Sequence, residues 1–336
     1  MFLQNLTQAF GVSGYEKQIR EVILEEVKDY ADEVTVDALG NLIIFKKGTG
    51  SNKKKIMMSA HMDEIGFQVM KIDDKGFITA RALGGIPVQA SVMNRVQFRN
   101  GTQGIVANTC DFDGLKNIKK LYIDIGAASK EEAEKYVKIG DVGCYVGEYL
   151  ELKGNNICAK AIDDRIGCYI LAEALKKVTD SYNDLYFVFS TQEEVGLRGA
   201  TVAANRIQPD LGIALDVTIS NDYPNSGDGA NKIGGGTAVK ISDGSVICDE
   251  YLVEEMIKCC EDHEIQYQRD VIDGGGTDAG AINRSNFGVR CAGISVATRY
   301  VHGPNAVVNM EDVKASIDLL SKYVNVESVS YTHLTL

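Results

Sequence analysis

Side chains that can bind metal or transfer protons follow four apolar stretches of this 336-residue sequence. The stretches, each with the residues that follow it, are 56–60 with His61 and Asp63, 185–189 with Glu193 and Glu194, 211–215 with Asp216, and 289–296 with His302. Apolar runs of this length are typical of buried strands. In open α/β sheets, ligands bind beyond the carboxyl ends of the strands. The sequence therefore places potential metal ligands where such a sheet carries its chemistry.

The adjacent acids Glu193 and Glu194 allow more than one interpretation. Neighbouring side chains on an extended backbone point to opposite sides, so both cannot line one face in the same way. Where a strand passes into a loop they can diverge, one binding a metal and the other facing a substrate. A glycosidase pair would have to straddle a sugar bond with its carboxyl groups about 5 to 9.5 Å apart, which adjacent residues satisfy poorly. A solvated pair of acids is the alternative without chemistry.

The other candidates also have simpler interpretations. Asp63 lies two residues after His61 on the same side of the strand, so its carboxylate is predicted to orient the imidazole. The alternative is that His61 is a core histidine. Asp163 and Asp164 stand at a predicted helix start, where acids commonly cap a helix. Asp216 follows an apolar run, where a bare carboxylate is costly unless it is paired or binds a metal.

Two histidines with three or four carboxylates and no cysteine suit a pair of divalent ions. Imidazole and carboxylate ligands fit zinc, cobalt or manganese, whereas metals that prefer thiolates are disfavoured. Two ions about 3.5 to 4 Å apart need a bridging carboxylate, two terminal ligands each and a bridging water. The candidate residues supply this set and leave one carboxylate to act as a base.

The composition is that of a globular protein with an acidic surface. Hydrophobic residues make up 45% of the chain, charged residues 24%, the net charge is −12 and the isoelectric point is about 4.9. This charge disfavours nucleic acid and anionic membranes as partners. We expect no signal peptide, and no apolar run approaches the roughly 20 residues of a membrane helix. The 8 cysteines include no C-x-x-C pair and are expected to be free thiols in a reducing cytoplasm.

The predicted elements indicate an α/β fold with a β-rich insertion. Helices are expected over 7–30, 164–178, 251–261 and 310–324, and strands over 34–36, 42–45 and the four apolar runs. From about 67 to 149 the pattern changes to short strands and hairpins, with one small helix capped by Ser129. We predict a three-layer catalytic domain with a central mixed sheet, over 1–67 and 158–330, carrying a small β-rich domain over 68–157. The tail SVSYTHLTL continues no element, and His333 receives no role.

Six motifs carry a resemblance to a known family: SAHMDEIGF, AKAIDDRIG, STQEEVGLRGA, ALDVT, GGGTDAGAI and RYVHGP. In this order and spacing they closely resemble the M42 metallo-aminopeptidases, which are tetrahedral dinuclear-metal enzymes, some of them once labelled endoglucanases. DALGNL near residue 40 and YIDIGAASKEEAE in the insert extend the resemblance over nearly the whole chain. GGGTD lacks the G-K-[ST] ending of a phosphate-binding P-loop, and the resemblance makes it a wall of the active site.

The resemblance implies a role for each candidate residue. The terminal ligands would be His61 and Asp216 for one metal ion and Glu194 and His302 for the other. Asp163 would bridge the ions, with Asp164 as the alternative. Asp63 would orient the first histidine. Glu193 would be the general base that takes a proton from the metal-bridging water and passes it to the leaving amine.

By this resemblance the chain is a cytoplasmic aminopeptidase that removes the N-terminal residue from short peptides with two divalent ions per subunit. The insert would mediate assembly of dimers into a hollow dodecamer. A peptide-binding scaffold that kept the fold and lost catalysis is one alternative, although such a protein should lack at least one ligand. Glycoside hydrolysis is another, but the chain has no tryptophan to stack on sugars. The sequence leaves open the preferred N-terminal residue, the native metal and the size of the oligomer.

Overall fold

The computed structural model describes residues 1–325, which begin with two helices and the first strands of a large sheet. Residues 326–336, with the predicted tail, His333 and the end of the range 158–330, lie outside the described part. The first elements are α1 (Phe2–Gln8), α2 (Lys17–Val27), β1 (Glu33–Val36), β2 (Leu42–Lys46) and β3 (Lys55–His61). The prediction of one helix over 7–30 was wrong at its beginning, because residues 9–16 separate two helices. Gly14 has a φ of 85°, which a right-handed helix cannot accommodate.

The next part of the chain folds into a closed barrel of short strands. Its elements are β4 (Gly66–Ile72), β5 (Ile78–Leu83), α3 (Val88–Ser91), β6 (Arg95–Phe98), β7 (Gln103–Asn108), β8 (Leu121–Asp124), α4 (Lys130–Ala133) and β9 (Val142–Tyr145). The strand order around the barrel is β4-β5-β8-β7-β6-β9. Phe67, Phe98 and Ile123 fill its core and are at most 2% exposed. The Ser129 hydroxyl accepts the Glu132 N–H at 3.2 Å, which confirms the predicted helix cap.

The remaining elements complete the large sheet and cover it with helices. They are β10 (Leu150–Glu151), β11 (Asn156–Ala159), α5 (Ile162–Lys177), β12 (Asp184–Ser190), α6 (Arg198–Ile207), β13 (Leu211–Ile219), β14 (Thr237–Ser242), α7 (Glu250–Asp262), β15 (Tyr267–Val271), α8 (Asp278–Asn283), β16 (Arg290–Thr298), β17 (Ala306–Asn309) and α9 (Met310–Tyr323). The closing helix begins as predicted, since Asn309 Oδ1 accepts the Glu311 N–H at 2.8 Å. None of the helices within residues 1–325 has the length and apolar character that crossing a bilayer requires.

The large sheet is mixed and has eight strands in the order β1-β2-β12-β3-β13-β16-β14-β15. Its four central strands, β12, β3, β13 and β16, run parallel, whereas β2 and β14 are antiparallel to their central neighbours. This architecture confirms the predicted α/β fold with a central mixed sheet and a separate small β domain. The sequence did not predict seven elements: α3, α6, β10, β11, β14, β15 and β17.

The boundary of the inserted domain stays a prediction, and the strand pairing bears on its C-terminal end. The barrel strands lie within residues 66–145, whereas β10 and β11 form a three-stranded sheet with β17. Residues 150–159 therefore pair with the C-terminal part of the chain rather than with the barrel. We propose that the insert ends near residue 146 instead of 157.

The parallel strands bring distant parts of the sequence to one edge of the sheet. Ser190, the last residue of β12, pairs with His61, the last residue of β3. In β13, Asp216 pairs with Ser295 of β16. Side chains that follow these strands therefore converge, as the apolar runs predict.

Arg165 fixes the N-terminal segment beneath this edge. Its side chain is 0% exposed. The guanidinium donates to the carbonyl oxygens of Met62 at 2.7 Å, Leu6 at 2.6 Å and Ala9 at 3.1 Å. It also lies 3.4 Å from Glu64 Oε1, and that carboxylate pairs with buried Lys160 at 2.7 Å. A planar cation with five donors is suited to holding several backbone carbonyls at once.

We expect Arg165→Met to lower the free energy of unfolding by about 3 to 5 kcal/mol, because removing one partner leaves buried carbonyls and a charged network unsatisfied. Arg269→Met is the matched control, since Arg269 forms an ion pair with Glu254 with both side chains about half exposed. Such exposed pairs contribute only about 0 to 1 kcal/mol. Urea unfolding followed by circular dichroism measures both variants. Equal losses of stability would contradict this role for Arg165.

Candidate metal centre

Six of the seven predicted site residues line one cleft of about 690 Å³, and the seventh lies directly behind them. The six are His61 at the end of β3, Asp163 at the start of α5, Glu193 and Glu194 after β12, Asp216 in β13, and His302 after β16. Asp63 is 0% exposed. The structure thus brings together residues that are up to 241 positions apart in the chain.

Asp163 lies between the two histidines. One of its carboxylate oxygens, Oδ1, is 3.0 Å from His61 Nε2, and the other, Oδ2, is 3.2 Å from His302 Nε2. Asp216 Oδ1 lies 4.0 Å from His61 Nε2, and Glu194 Oε1 lies 3.4 Å from His302 Nε2. We group these residues into two candidate triads that share Asp163, one with His61 and Asp216 and one with His302 and Glu194; ligand atoms of His61, Asp163 and Glu194 also lie within 4.8 Å of one another.

The neighbouring acid Asp164 has a different environment. Its carboxylate is 0% exposed and accepts the backbone N–H groups of His61 at 3.3 Å and Gly167 at 3.0 Å. One of its oxygens also lies within 4.8 Å of ligand atoms of His61 and Asp216. Asp164 therefore remains near the first triad, but only Asp163 faces both histidines.

The donor set fits divalent cations. Zinc bonds to nitrogen and oxygen are about 2.0 to 2.2 Å long, so two ligand atoms of a tetrahedral ion lie about 3.3 to 3.6 Å apart. The four separations within the triads, 3.0 to 4.0 Å, bracket this range. In addition, Glu194 Oε1 is buried and accepts no hydrogen bond from the described residues. A cation would satisfy this oxygen.

The electrostatics of the cleft favour added positive charge. Burial and the charge of Asp163 raise the pKa of Glu194 to about 7. Burial, with the charges of neighbouring carboxylates, also raises the pKa of Glu193 and of Asp216 well above their usual range. At Asp163, hydrogen bonds from His302 and His61 overcome the effect of burial and lower the pKa.

Both imidazoles have a hydrogen bond that leaves Nε2 facing the cleft. His302 Nδ1 lies 2.8 Å from the carbonyl oxygen of Gly85, which follows barrel strand β5. His61 Nδ1 lies 3.1 Å from the backbone oxygen of Asp63 and 3.5 Å from its carboxylate. Donation from Nδ1 fixes the tautomer whose Nε2 binds metal. For His61 the nearer partner is the Asp63 carbonyl, and the carboxylate predicted to orient the ring lies beside the same nitrogen.

The carboxylate of Asp63 also accepts hydrogen bonds from the loop that carries the two glutamates. Four successive N–H groups of this loop donate to side-chain oxygens: Thr191 to Asn41 at 2.9 Å, Gln192 to Glu16 at 3.1 Å, Glu193 to Asp63 at 2.9 Å and Glu194 to Asp63 at 3.2 Å. The Ser13 hydroxyl donates to Asp63 Oδ2 at 2.6 Å. Directly through Glu16 and indirectly through Ser13 and Asp63, the N-terminal segment therefore helps to position the backbone that carries the two glutamates.

Sequence reasoning missed Glu16, Asn41 and Gly85 as parts of the site. Glu16 is indistinguishable in the sequence from the exposed acids of α2, and Asn41 stands in a predicted turn. The carbonyl of Gly85 carries no sequence signal at all. The predicted wall formed by the glycine-rich motif is confirmed, since residues 274–277 line the cleft.

Known proteins resemble this chain over nearly its full length. A family model described as M42 glutamyl aminopeptidase matches residues 40–319. A protein of Acetivibrio thermocellus is 45% identical, covering 95% of this chain and 96% of its own. The lysyl aminopeptidase of Pyrococcus furiosus is 32% identical, covering 94% of both chains. The solved TET1 peptidase of Pyrococcus horikoshii, described as assembling into a tetrahedron or a large octahedral shell, is 32% identical over 96% of this chain and 98% of its own, with a TM-score of 0.83.

Glu16 generates a pH-dependent prediction. It is 4% exposed, and burial together with the charge of Asp63 raises its pKa from 4.5 to about 7. The folded protein thus retains a proton that the unfolded chain releases, so this group's contribution to stability is full below pH 4.5 and falls as the pH rises towards 7. Glu16→Gln should remove about 3 kcal/mol of this loss. The amide oxygen can still accept the N–H groups of Gly14 and Gln192, which Glu16 Oε1 accepts at 2.7 and 3.1 Å.

Urea unfolding at pH 5, 6, 7 and 8 measures this effect. The stability of Glu16→Gln relative to wild type should rise with pH over that range. Glu21→Gln, on the exposed side of helix α2 that Glu16 precedes, is the control and should show no such trend. A difference between Glu16→Gln and wild type that does not change with pH would contradict the prediction.

Proposed function

This chain belongs to the M42 glutamyl aminopeptidase family and is therefore a peptidase, and we propose that it is a dinuclear-metal aminopeptidase acting on short peptides. The observation that supports the proposal most directly is the position of Asp163. Its two carboxylate oxygens face two different histidines, at 3.0 and 3.2 Å. One carboxylate between two ligand triads is the arrangement that a pair of metal ions requires.

We assign the ligands from the two triads. His61 and Asp216 would hold one ion, Glu194 and His302 the other, and Asp163 both. Zinc, cobalt or manganese bound there would supply Lewis acidity, which polarises a carbonyl group and makes water nucleophilic near neutral pH. The donor set contains no thiolate, which is consistent with these three metals.

Glu193 is the proposed general base. Its Oε2 lies 3.9 Å from His61 Nε2, at the edge of the ligand group, and it lines the cleft. The Asp63 carboxylate holds its backbone N–H, which fixes the start of the side chain. From this position the carboxylate can accept a proton from the attacking water and deliver it to the leaving amine.

Assembly and location belong to the same proposal. The TET1 peptidase of Pyrococcus horikoshii can assemble into a tetrahedron or a large octahedral shell, and this chain matches its fold over nearly the whole length. We infer that dimers of this chain assemble into a dodecamer whose interior admits short peptides. All 8 cysteines, which fall within the described residues, are free. Free thiols fit the reducing cytoplasm.

Chelation and one substitution test the reaction. The metal-loaded protein should hydrolyse aminoacyl-p-nitroanilides, lose this activity in EDTA and regain it with Co²⁺, Zn²⁺ or Mn²⁺. Glu193→Gln should lower kcat by about 10² to 10⁴-fold, the usual contribution of general acid–base catalysis. It should still bind two ions per subunit, measured by mass spectrometry of the metals.

Asp163→Asn is the contrasting variant and should bind fewer than two ions, because it weakens the ligand shared by both triads. If metal-loaded, assembled wild type cleaves neither these substrates nor short peptides, the chain is a binding scaffold. Cleavage unaffected by EDTA and by Glu193→Gln would refute the two-metal assignment.

Light scattering coupled to size-exclusion chromatography tests the assembly. Twelve chains of 36.5 kDa give a particle of about 440 kDa. A main species of one or two chains would contradict the dodecamer without affecting the proposed reaction.

A further inference from the structure

We propose that the cleft selects substrates with an uncharged, aliphatic N-terminal residue. This inference rests on the proposed aminopeptidase function and specifies its substrate class. Five aliphatic residues are among those that line the cleft: Leu197, Val217, Ile219, Ile272 and Val301.

The position of this surface identifies what it contacts. An aminopeptidase substrate has a single residue before the scissile bond, and consecutive Cα atoms are only about 3.8 Å apart. The side chain of that residue must therefore pack close to the metal ligands. Val217 directly follows Asp216, and Val301 directly precedes His302. These residues of the lining therefore lie along the chain next to two proposed ligands, although the Val217 side chain itself is only 8% exposed and packs in the core.

Two of these residues, Ile219 and Ile272, keep part of their surface exposed to solvent. Ile219 is 47% exposed, although it stands at the end of the buried strand β13. Ile272 is half-buried beside the glycine-rich wall. Covering such surface with an aliphatic side chain is favourable, and apolar walls with few polar groups are typical of small-molecule sites.

The charges around the cleft do not match a charged substrate residue. Among the described residues that line it, none is a lysine or an arginine that could pair with a glutamate side chain. Apart from the metal-centre acids, the lining contains one acid, Asp273, which is exposed to solvent. An exposed carboxylate contributes little to recognition of a lysine side chain.

A buried ion pair behind the cleft is also unable to recognise charge. Lys240 Nζ lies 2.5 Å from Asp270 Oδ2, and both side chains are at most 1% exposed. The Thr218 hydroxyl, in the lining, donates to Asp270 Oδ1 at 3.0 Å. The two charges therefore neutralise each other behind this threonine. Outside the metal centre, a charged side chain that entered the cleft would lose hydration without gaining a buried partner of opposite charge.

A substrate panel tests the inference. We expect metal-loaded wild type to cleave leucyl- and methionyl-p-nitroanilide with kcat/KM at least about tenfold above the glutamyl and lysyl substrates. Ile219→Ala should lower kcat/KM for the leucyl substrate by about tenfold and that for the alanyl substrate less than twofold, since alanine lacks the atoms that Ile219 contacts. Ile219→Asp should raise the ratio of lysyl to leucyl cleavage.

Ile247→Ala is the matched control, because Ile247 is 83% exposed and lies outside the cleft lining. It should leave the rates for the whole substrate panel unchanged.

A wild-type preference for the glutamyl or lysyl substrate, or equal cleavage of all, would overturn the aliphatic assignment while leaving the proposed aminopeptidase function intact. Equal losses on leucyl and alanyl substrates in Ile219→Ala would overturn the role of that residue. If no substrate is cleaved, the proposed function fails, and the inference fails with it.

Discussion

Crowded negative charge is the constraint on which the rest of this structure depends. The carboxyl groups of Asp163, Asp164, Glu193, Glu194 and Asp216 share one largely buried region. Such groups cannot all ionise side by side in a low-dielectric environment without compensating cations. The two imidazoles supply only part of that compensation. Under the proposed function, divalent ions bound there would provide both the missing charge and the chemistry, so that one arrangement of side chains would serve stability and catalysis together.

A second cluster of buried charges stabilises the segments that position the first. Arg165 and Lys160 surround the buried Glu64, and the arginine also binds carbonyls of the N-terminal segment. That segment in turn supplies Ser13 and Glu16, which act on the loop bearing the glutamates either directly or through Asp63. The position of the proposed base therefore depends on contacts between residues more than 100 positions apart. Local structure alone could not create this site.

The sequence predicted the fold class and the identity of the clustered residues because both rest on regular patterns. Apolar runs of strand length mark the parallel strands, and polar residues after them fall at one edge of the sheet. Several of the elements that it missed lack such patterns: β14 contains a lysine and β15 (YQRDV) is mostly polar, and β17 pairs through β11 rather than within the large sheet. Contacts made by backbone atoms, such as the Gly85 carbonyl, depend on how distant segments meet. The same holds for Glu16, whose burial is decided by tertiary packing rather than by its neighbours in α2.

The hydrogen bond from His302 to the Gly85 carbonyl has a thermodynamic consequence. Gly85 belongs to the segment between two barrel elements, β5 and α3, whereas His302 follows the sheet strand β16. The tautomer that presents Nε2 to the cleft is therefore stabilised by the barrel. By reciprocity, a cation that requires this tautomer also strengthens the packing of the barrel against the sheet. Cation binding in the cleft and packing of the barrel against the sheet then favour each other by the same free energy.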